Sequence, residues 1–240
     1  VENIPHYLIN WIDPKVDFNL AKFQKLAKKY IDLVHQKNKT PFLVGGSGLY
    51  IQSVVDNYNI PGVPPQENLR NTLEDFSCQE ILNLLNKVDP ESAENINENN
   101  KRRLIRAFEV SVSTSQPFSQ LKDSNEQIFN TLQIGIKRDR DELYERINQR
   151  VEDMFEQGLE DEVKNLLEQG YDWSLSSMDS IGYQEFRGYF EGNKNLEQVK
   201  VDIKTNTRNL AKRQLSWFKR DETINWINSL SSAKRIIKDF

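Results

Sequence analysis

The stretch PFLVGGSGLYIQ, residues 41–52, constrains the fold most: an apolar run, then Gly45, Gly46, Ser47 and Gly48, then a helical pattern. Pro41 to Val44 reads as a short, fully buried strand, because it is brief, apolar and closed by glycines. Glycines there let the backbone turn, and let another backbone or a ligand come close. Leu49, Tyr50, Val54 and Val55 recur at helical spacing, so the loop opens into a helix whose free N–H groups face it. Strand, glycine loop and helix in that order can build a ligand site at the edge of an open α/β sheet. They can equally be a tight strand-to-helix turn. No GK[ST] follows, so the loop is not of Walker A type.

The flanking segments extend this rhythm. IPHYLINWIDP (4–14) reads as a short extended segment ended by Asp13-Pro14. Residues 19–39 carry Leu20, Phe23, Leu26, Ala27, Tyr30 and Val34 at helical spacing and predict an amphipathic helix. Helix, strand and helix in turn predict a parallel sheet. From Asn57 the character changes to a proline-rich link and then polar-broken helical sequence, so 58–127 reads as a helical insertion in an α/β core formed by 1–57 and 128–240. Leu132, Ile134 and Ile136 alternate as in a strand. Beyond Arg138 the chain reads as helical, with stops at Gly158 and Gly170, a long basic helix over 196–221, and a closing strand in TINWIN.

Bulk properties narrow the function. One cysteine, Cys78, rules out an internal disulfide framework and suits a reducing cytoplasm. His6, His35 and Cys78 have no metal-ligand spacing. A net charge of -4 argues against wholesale electrostatic binding of nucleic acid, so any such binding must come from local basic patches. Two are visible. KRRLIRAFEV (101–110) sets Arg102 and Arg106 on one helical face, with Leu104, Ile105 and Phe108 toward a core. This is either a phosphate-contacting helix or a solvated face with Arg106 paired to Glu109. In LAKRQLSWFKR (210–220), Leu210, Ala211, Gln214, Leu215 and Phe218 form a buried stripe, and Arg213, Trp217 and Arg220 occupy a neighbouring face. That face could stack a base and hold phosphates, or be a core-edge tryptophan among surface arginines. Arg146 and Arg150 share a third face, where Glu142 could pair with Arg146.

Taken together and in order, IPHYLI…DP, PFLVGGSGLY, DPESAENINENNKRRLIRAFEV, RDELYERINQRVEDMFEQGL, IGYQE and AKRQLSWFKR resemble the bacterial tRNA dimethylallyltransferases, or tRNA isopentenyltransferases. The likeness runs from near Val1 to about Asn228. It implies an α/β, P-loop kinase-like parallel sheet with a helical insertion domain and a helix-rich C-terminal part. It implies transfer of a dimethylallyl group from dimethylallyl diphosphate to the exocyclic N6 amine of the adenosine 3′ of the anticodon. The target base must leave its stack to be reached. Mg2+, the tRNA anticodon stem-loop, a cytoplasmic location, no membrane and a monomeric state belong to the same expectation.

Residue by residue, the resemblance gives Ser47 the channel hydroxyl that contacts the target nucleotide, where relatives usually have threonine. It gives Arg70 a tRNA contact. Further tRNA contacts fall on Arg102, Arg103, Leu104, Ile105 and Arg106, and on Asp179, Ser180, Ile181, Gly182, Tyr183 and Gln184. The last set is Lys212, Arg213, Gln214, Leu215, Ser216, Trp217, Phe218 and Lys219. Arg146 is assigned to the diphosphate. Many relatives have a basic residue where Gln52 stands. The family's N-terminal region, with its Walker-type loop, its Mg2+ ligands and the aspartate thought to act as general base, has no counterpart in these 240 residues, and no GxxxxGK[ST] occurs. The expectation is therefore that the chain alone is inactive. Two other readings stand beside the enzyme: a non-catalytic tRNA-binding fragment of it, and a small-molecule kinase relative, which the basic helices disfavour.

Overall fold

The computed structural model of the protein describes residues 4–121 and 126–240. The chain divides into two units: Asn19–Pro41 with Leu49–Asn130, and Val1–Phe18 with Phe42–Gly48 and Thr131–Phe240. The first unit thus takes in residues 19–41 and 49–57 besides the 58–127 stretch.

In the helical unit α1 (Leu20–His35) starts where the Asn19 side chain accepts from the Lys22 N–H at 3.0 Å, the usual service of an N-cap. α2 (Gly48–Val55) lies against it: the rings of Phe23 and Tyr50 are 4.7 Å apart, and Gln24 Nε2 donates to the carbonyls of Ser53 and Tyr58 at 2.6 and 2.8 Å. α3 (Glu67–Glu74), α4 (Cys78–Val88), α5 (Pro90–Asn95) and α6 (Lys101–Thr114) follow. Ser77 and Glu80 form a capping box that fixes the start of α4. Leu73, Ile81, Leu85, Leu104, Ile105 and Ala107 close the core of this unit. Burying such side chains supplies most of what holds short helices together, since isolated helices of this length are marginal in water.

The second unit holds β1 (Ile134–Ile136), α7 (Arg140–Glu156), α8 (Leu159–Glu168), α9 (Arg187–Phe190), α10 (Leu196–Phe218), β2 (Asn225–Ile227) and α11 (Leu230–Asp239). β1 and β2 pair in parallel, with Ile134 opposite Asn225 and Ile136 opposite Ile227. Gly158 and Gly170 end their helices with φ of +93° and +81°, values that favour glycine. Val151, Val163, Met178, Phe186, Val199 and Ile203 form this unit's core. The architecture is mixed and helix-rich with a small parallel sheet, in keeping with an α/β fold. Among the described residues no helix is long and apolar enough to cross a membrane.

Two expectations are corrected. Pro41 to Val44 is neither strand nor buried: it has no regular structure, and Phe42 and Val44 are 74% and 88% exposed. A strand exists only where its N–H and C=O groups pair, and among the described residues the one sheet is β1 with β2. Residues 4–14 are irregular rather than extended, with Leu8 and Asn10 at positive φ.

Candidate functional site

Gly46 and Gly48 are glycines because α10 leaves no room for anything larger. A Cβ on Gly46 would stand 2.2 Å from Gln214 Nε2, and one on Gly48 would stand 2.3 Å from Trp217 Cδ1. The loop is thus held against one face of the basic helix, and Ser47, between the two glycines, is exposed. The expected buried stripe on this part of α10 is not there. Leu210 is 36% exposed, and Ala211, Gln214, Leu215 and Phe218 are only half-buried. The physical reason is that Ala211 and Leu215 line an open cleft instead of a packed core. Trp217, 38% exposed, is a partly open ring leaning on the loop. Lys212, Arg213, Ser216 and Lys219 are exposed.

Asp179 to Gln184 turn sharply at Gly182, whose φ is +102° and whose N–H donates to Glu185 Oε2 at 2.8 Å. Glu185 in turn accepts from Asn206 Nδ2 at 2.7 Å, tying this turn to α10. Asp179, Ser180 and Gln184 are exposed, Ile181 is half-buried, and the Tyr183 hydroxyl donates to Glu162. Burial and that carboxylate push the Tyr183 phenol up to about 12. Arg146 is exposed on α7. Glu142 pairs with Arg138 at 2.7 Å rather than with Arg146.

In the helical unit Arg70 and Arg106 meet on one carboxylate. Arg70 Nε and Nη2 donate to the two oxygens of Glu109 at 2.7 and 2.8 Å, and Arg106 Nη1 donates at 2.6 Å. The Gln66 N–H adds a further bond at 2.7 Å. Burial works against the charge of Glu109, but the Arg70, Gln66 and Arg106 hydrogen bonds outweigh it and hold the carboxyl at about 2. Arg102 and Arg103 are exposed on the same helix, while Leu104 and Ile105 are core residues whose side chains face away from solvent. Gln52, on α2, accepts from the Tyr58 hydroxyl at 3.3 Å.

Sequence reasoning missed a cleft of about 900 Å³ in the second unit, lined by the end of β1, the first turn of α7, the end of α10, β2 and α11. Lys137, Arg138, Arg140, Lys212, Lys219 and Arg235 line it, against a single carboxylate, Asp139. Arg140 and Arg208 both lie over the Tyr144 ring, at 5.2 and 5.3 Å from its centroid. The Arg140 hydrogen bond, with the charges of Arg140 and Lys212, holds the Tyr144 phenol below its ordinary range. The sequence signal was weak, because these cations come from segments as much as 98 residues apart. Among the described residues no three His, Cys, Asp or Glu side chains come together as metal ligands.

Comparison with known proteins places this geometry. The family model described as IPP transferase matches residues 1–221. The tRNA dimethylallyltransferase of Natranaerobius thermophilus is 40% identical over 241 residues, spanning 98% of this chain and 73% of its own length. That of Acetivibrio thermocellus is 40% identical over 247 residues, covering 99% and 79%. Among solved structures, the full-length tRNA isopentenylpyrophosphate transferase of Bacillus halodurans superposes with a TM-score of 0.68 at 36% identity, over 99% of this chain and 77% of that one. A eukaryotic dimethylallyltransferase acting on tRNA superposes with a TM-score of 0.80 at 25% identity, covering 98% and 64%. The chain belongs to the IPP transferase family, that of the tRNA dimethylallyltransferases.

Proposed function

We propose that this protein transfers the dimethylallyl group of dimethylallyl diphosphate to the exocyclic N6 amine of the adenosine 3′ of the anticodon in tRNA. The observation that carries the reading is 40% identity with tRNA dimethylallyltransferases over 98–99% of the chain. In the reaction the amine nitrogen forms a bond to C1 of the allyl group, the C1–O bond breaks, and diphosphate leaves with the electron pair. The amine then gives up a proton, for which no acceptor is assigned among these residues.

The exposed hydroxyl of Ser47, on a loop pinned by Gln214 and Trp217, is suited to hold the target nucleotide while the amine attacks. Arg146 is suited to the charge of the leaving diphosphate, as an exposed guanidinium on a rigid helix. Arg102, Arg103, Arg213 and Lys219 offer exposed cations to RNA phosphates, and Trp217 offers a partly open ring to a base. Arg70 and Arg106 keep about a third of their side-chain surface open beyond their bonds to Glu109, so their part is first to hold α3 on α6. Leu104 and Ile105 act from the core by placing the arginines around them. Mg2+, which the resemblance implies, finds no ligand set among the described residues, and no step is derived through it. The P-loop kinase-like sheet, a monomeric state and a cytoplasmic location belong to the same proposal.

The test is incubation of the purified protein with dimethylallyl diphosphate and an undermodified tRNA, with the modified nucleoside read by mass. Transfer to that adenosine is expected. Retained tRNA binding without transfer would favour the alternative reading, a non-catalytic tRNA-binding module.

A further inference from the structure

The basic cleft of the second unit lies at the carboxyl ends of the two parallel strands, where Ile136 passes into Lys137 and Ile227 into Asn228. The Lys137 N–H donates to the Ile227 carbonyl at 2.7 Å and so fixes that edge. Open parallel sheets bind their ligands at this edge. α7 begins there at Arg140, adding the positive end of a 17-residue helix. Asp139, the one carboxylate of the lining, is occupied as the cap of α7, accepting from the Asp141 N–H at 2.9 Å. Arg138 is held by Glu142. Lys137, Lys219 and Arg235 have no ion-pair partner among the described residues. In a protein of net charge -4 this concentration of cations needs an anion.

The walls are not those of a simple phosphate site. Leu143, Leu215, Trp226, Ile227 and Ile236 supply an apolar floor. A volume of about 900 Å³ is in the range of small-molecule clefts and much larger than an inorganic ion fills. A cationic rim over an apolar floor fits one kind of ligand, a phosphate joined to an apolar or aromatic group.

We propose that this cleft binds a small organic phosphate, with Lys137, Arg140 and Arg235 on the phosphate oxygens and Trp226 and Ile227 against the apolar part. Two sources share that chemistry, a nucleoside phosphate and an allylic diphosphate. The site stands independently of whether prenyl transfer occurs, because its residues lie outside those given to the reaction, apart from Lys212, Leu215, Ser216 and Lys219 on its α10 wall.

Calorimetric titration of the purified protein with ADP, dimethylallyl diphosphate and inorganic pyrophosphate tests it. The comparison is the double variant Lys137→Ala/Arg235→Ala, both exposed positions whose loss leaves the core intact. Saturable binding of ADP or of dimethylallyl diphosphate is expected, about tenfold weaker in the double variant, as for the loss of a charge-assisted contact. Pyrophosphate, lacking the apolar part, should bind more weakly than the better of the two. Which ligand binds names the source, and for the allylic diphosphate this binding should survive Arg146→Ala. The melting transition of the double variant should match that of the parent. Equal binding by parent and variant, or no saturable binding by any probe, overturns the site. So does a loss confined to tRNA, which would make the cleft a surface for RNA phosphates. Failure of prenyl transfer with variant-sensitive ADP binding would sink the proposed function and leave the site standing.

Discussion

The indole of Trp217 occupies the space that a Cβ on Gly48 would need, with Cδ1 only 2.3 Å from that position. The two residues are 169 positions apart, and their fit is what pins the glycine loop to α10. Gly46 has a similar relation to Gln214 at 2.2 Å, but there the obstacle is the far end of a flexible side chain. The loop is therefore unequally tolerant. Gly48→Ala should lower stability by about 1–3 kcal/mol through overpacking against a rigid ring, and Gly46→Ala by clearly less. Thermal melts of both variants check this. In the double variant Gly48→Ala/Trp217→Ala the cost of the alanine should largely vanish. A simple sum of the two single costs would mean that the ring is not the obstacle.

Glu109 should make the stability of the helical unit depend on acid pH. Its folded value is depressed from 4.5 to about 2, so the folded state binds fewer protons than the unfolded state over that range. The contribution is complete above about 4.5 and is lost as pH falls toward about 2. The depression corresponds to about 3 kcal/mol, and exposure of about a third of Arg70 and Arg106 brings it nearer 2 kcal/mol. Urea unfolding between neutral pH and pH near 3 should show this fall, and Glu109→Gln should flatten it while lowering neutral stability by about 2–3 kcal/mol. An unchanged pH profile in that variant would remove Glu109 from the account.

Trp217 should matter more to RNA than to the fold. At 38% exposed it is not a core residue, so Trp217→Ala should cost well under the roughly 3–5 kcal/mol of a buried tryptophan. As a stacking platform it should cost about 1–3 kcal/mol in binding a single-stranded anticodon loop. Melts and filter binding on the same variant separate the two. A large loss of stability with RNA affinity tracking the unfolded fraction would reverse the assignment.

Where sequence reasoning succeeded, the information was local. Asn19 ahead of Leu20, and Gly158 and Gly170 at the ends of their helices, mark boundaries through neighbours one to four residues away. The pairing of Arg106 with Glu109 was legible for the same reason, being one helical turn. Arg70, 39 residues from Glu109, was read as a surface cation because nothing local announces its bond. Pro41 to Val44 was misread because an apolar run shows what could be buried, not whether a neighbouring strand is there to pair with it. The cleft was invisible for a related reason: Lys137, Lys219 and Arg235 are unremarkable until the β1–β2 pairing gathers their elements.

Arg213 offers the sharpest test of the RNA role given to α10. It is exposed, four residues before Trp217, and outside the lining of the cleft. A cation of that kind acts on phosphate by releasing counterions, so its effect depends on salt and not on base sequence. Arg213→Ala should weaken binding to cognate and unrelated tRNAs alike, and lower the slope of log affinity against log salt by about 0.7–0.9, one phosphate's worth. The melting transition should not move, since the side chain packs in neither core. Filter binding across a salt series provides the slope. An unchanged affinity and slope, with the fold intact, would show that this face of α10 does not touch RNA, and the contacts would then have to be sought on Arg102 and Arg103.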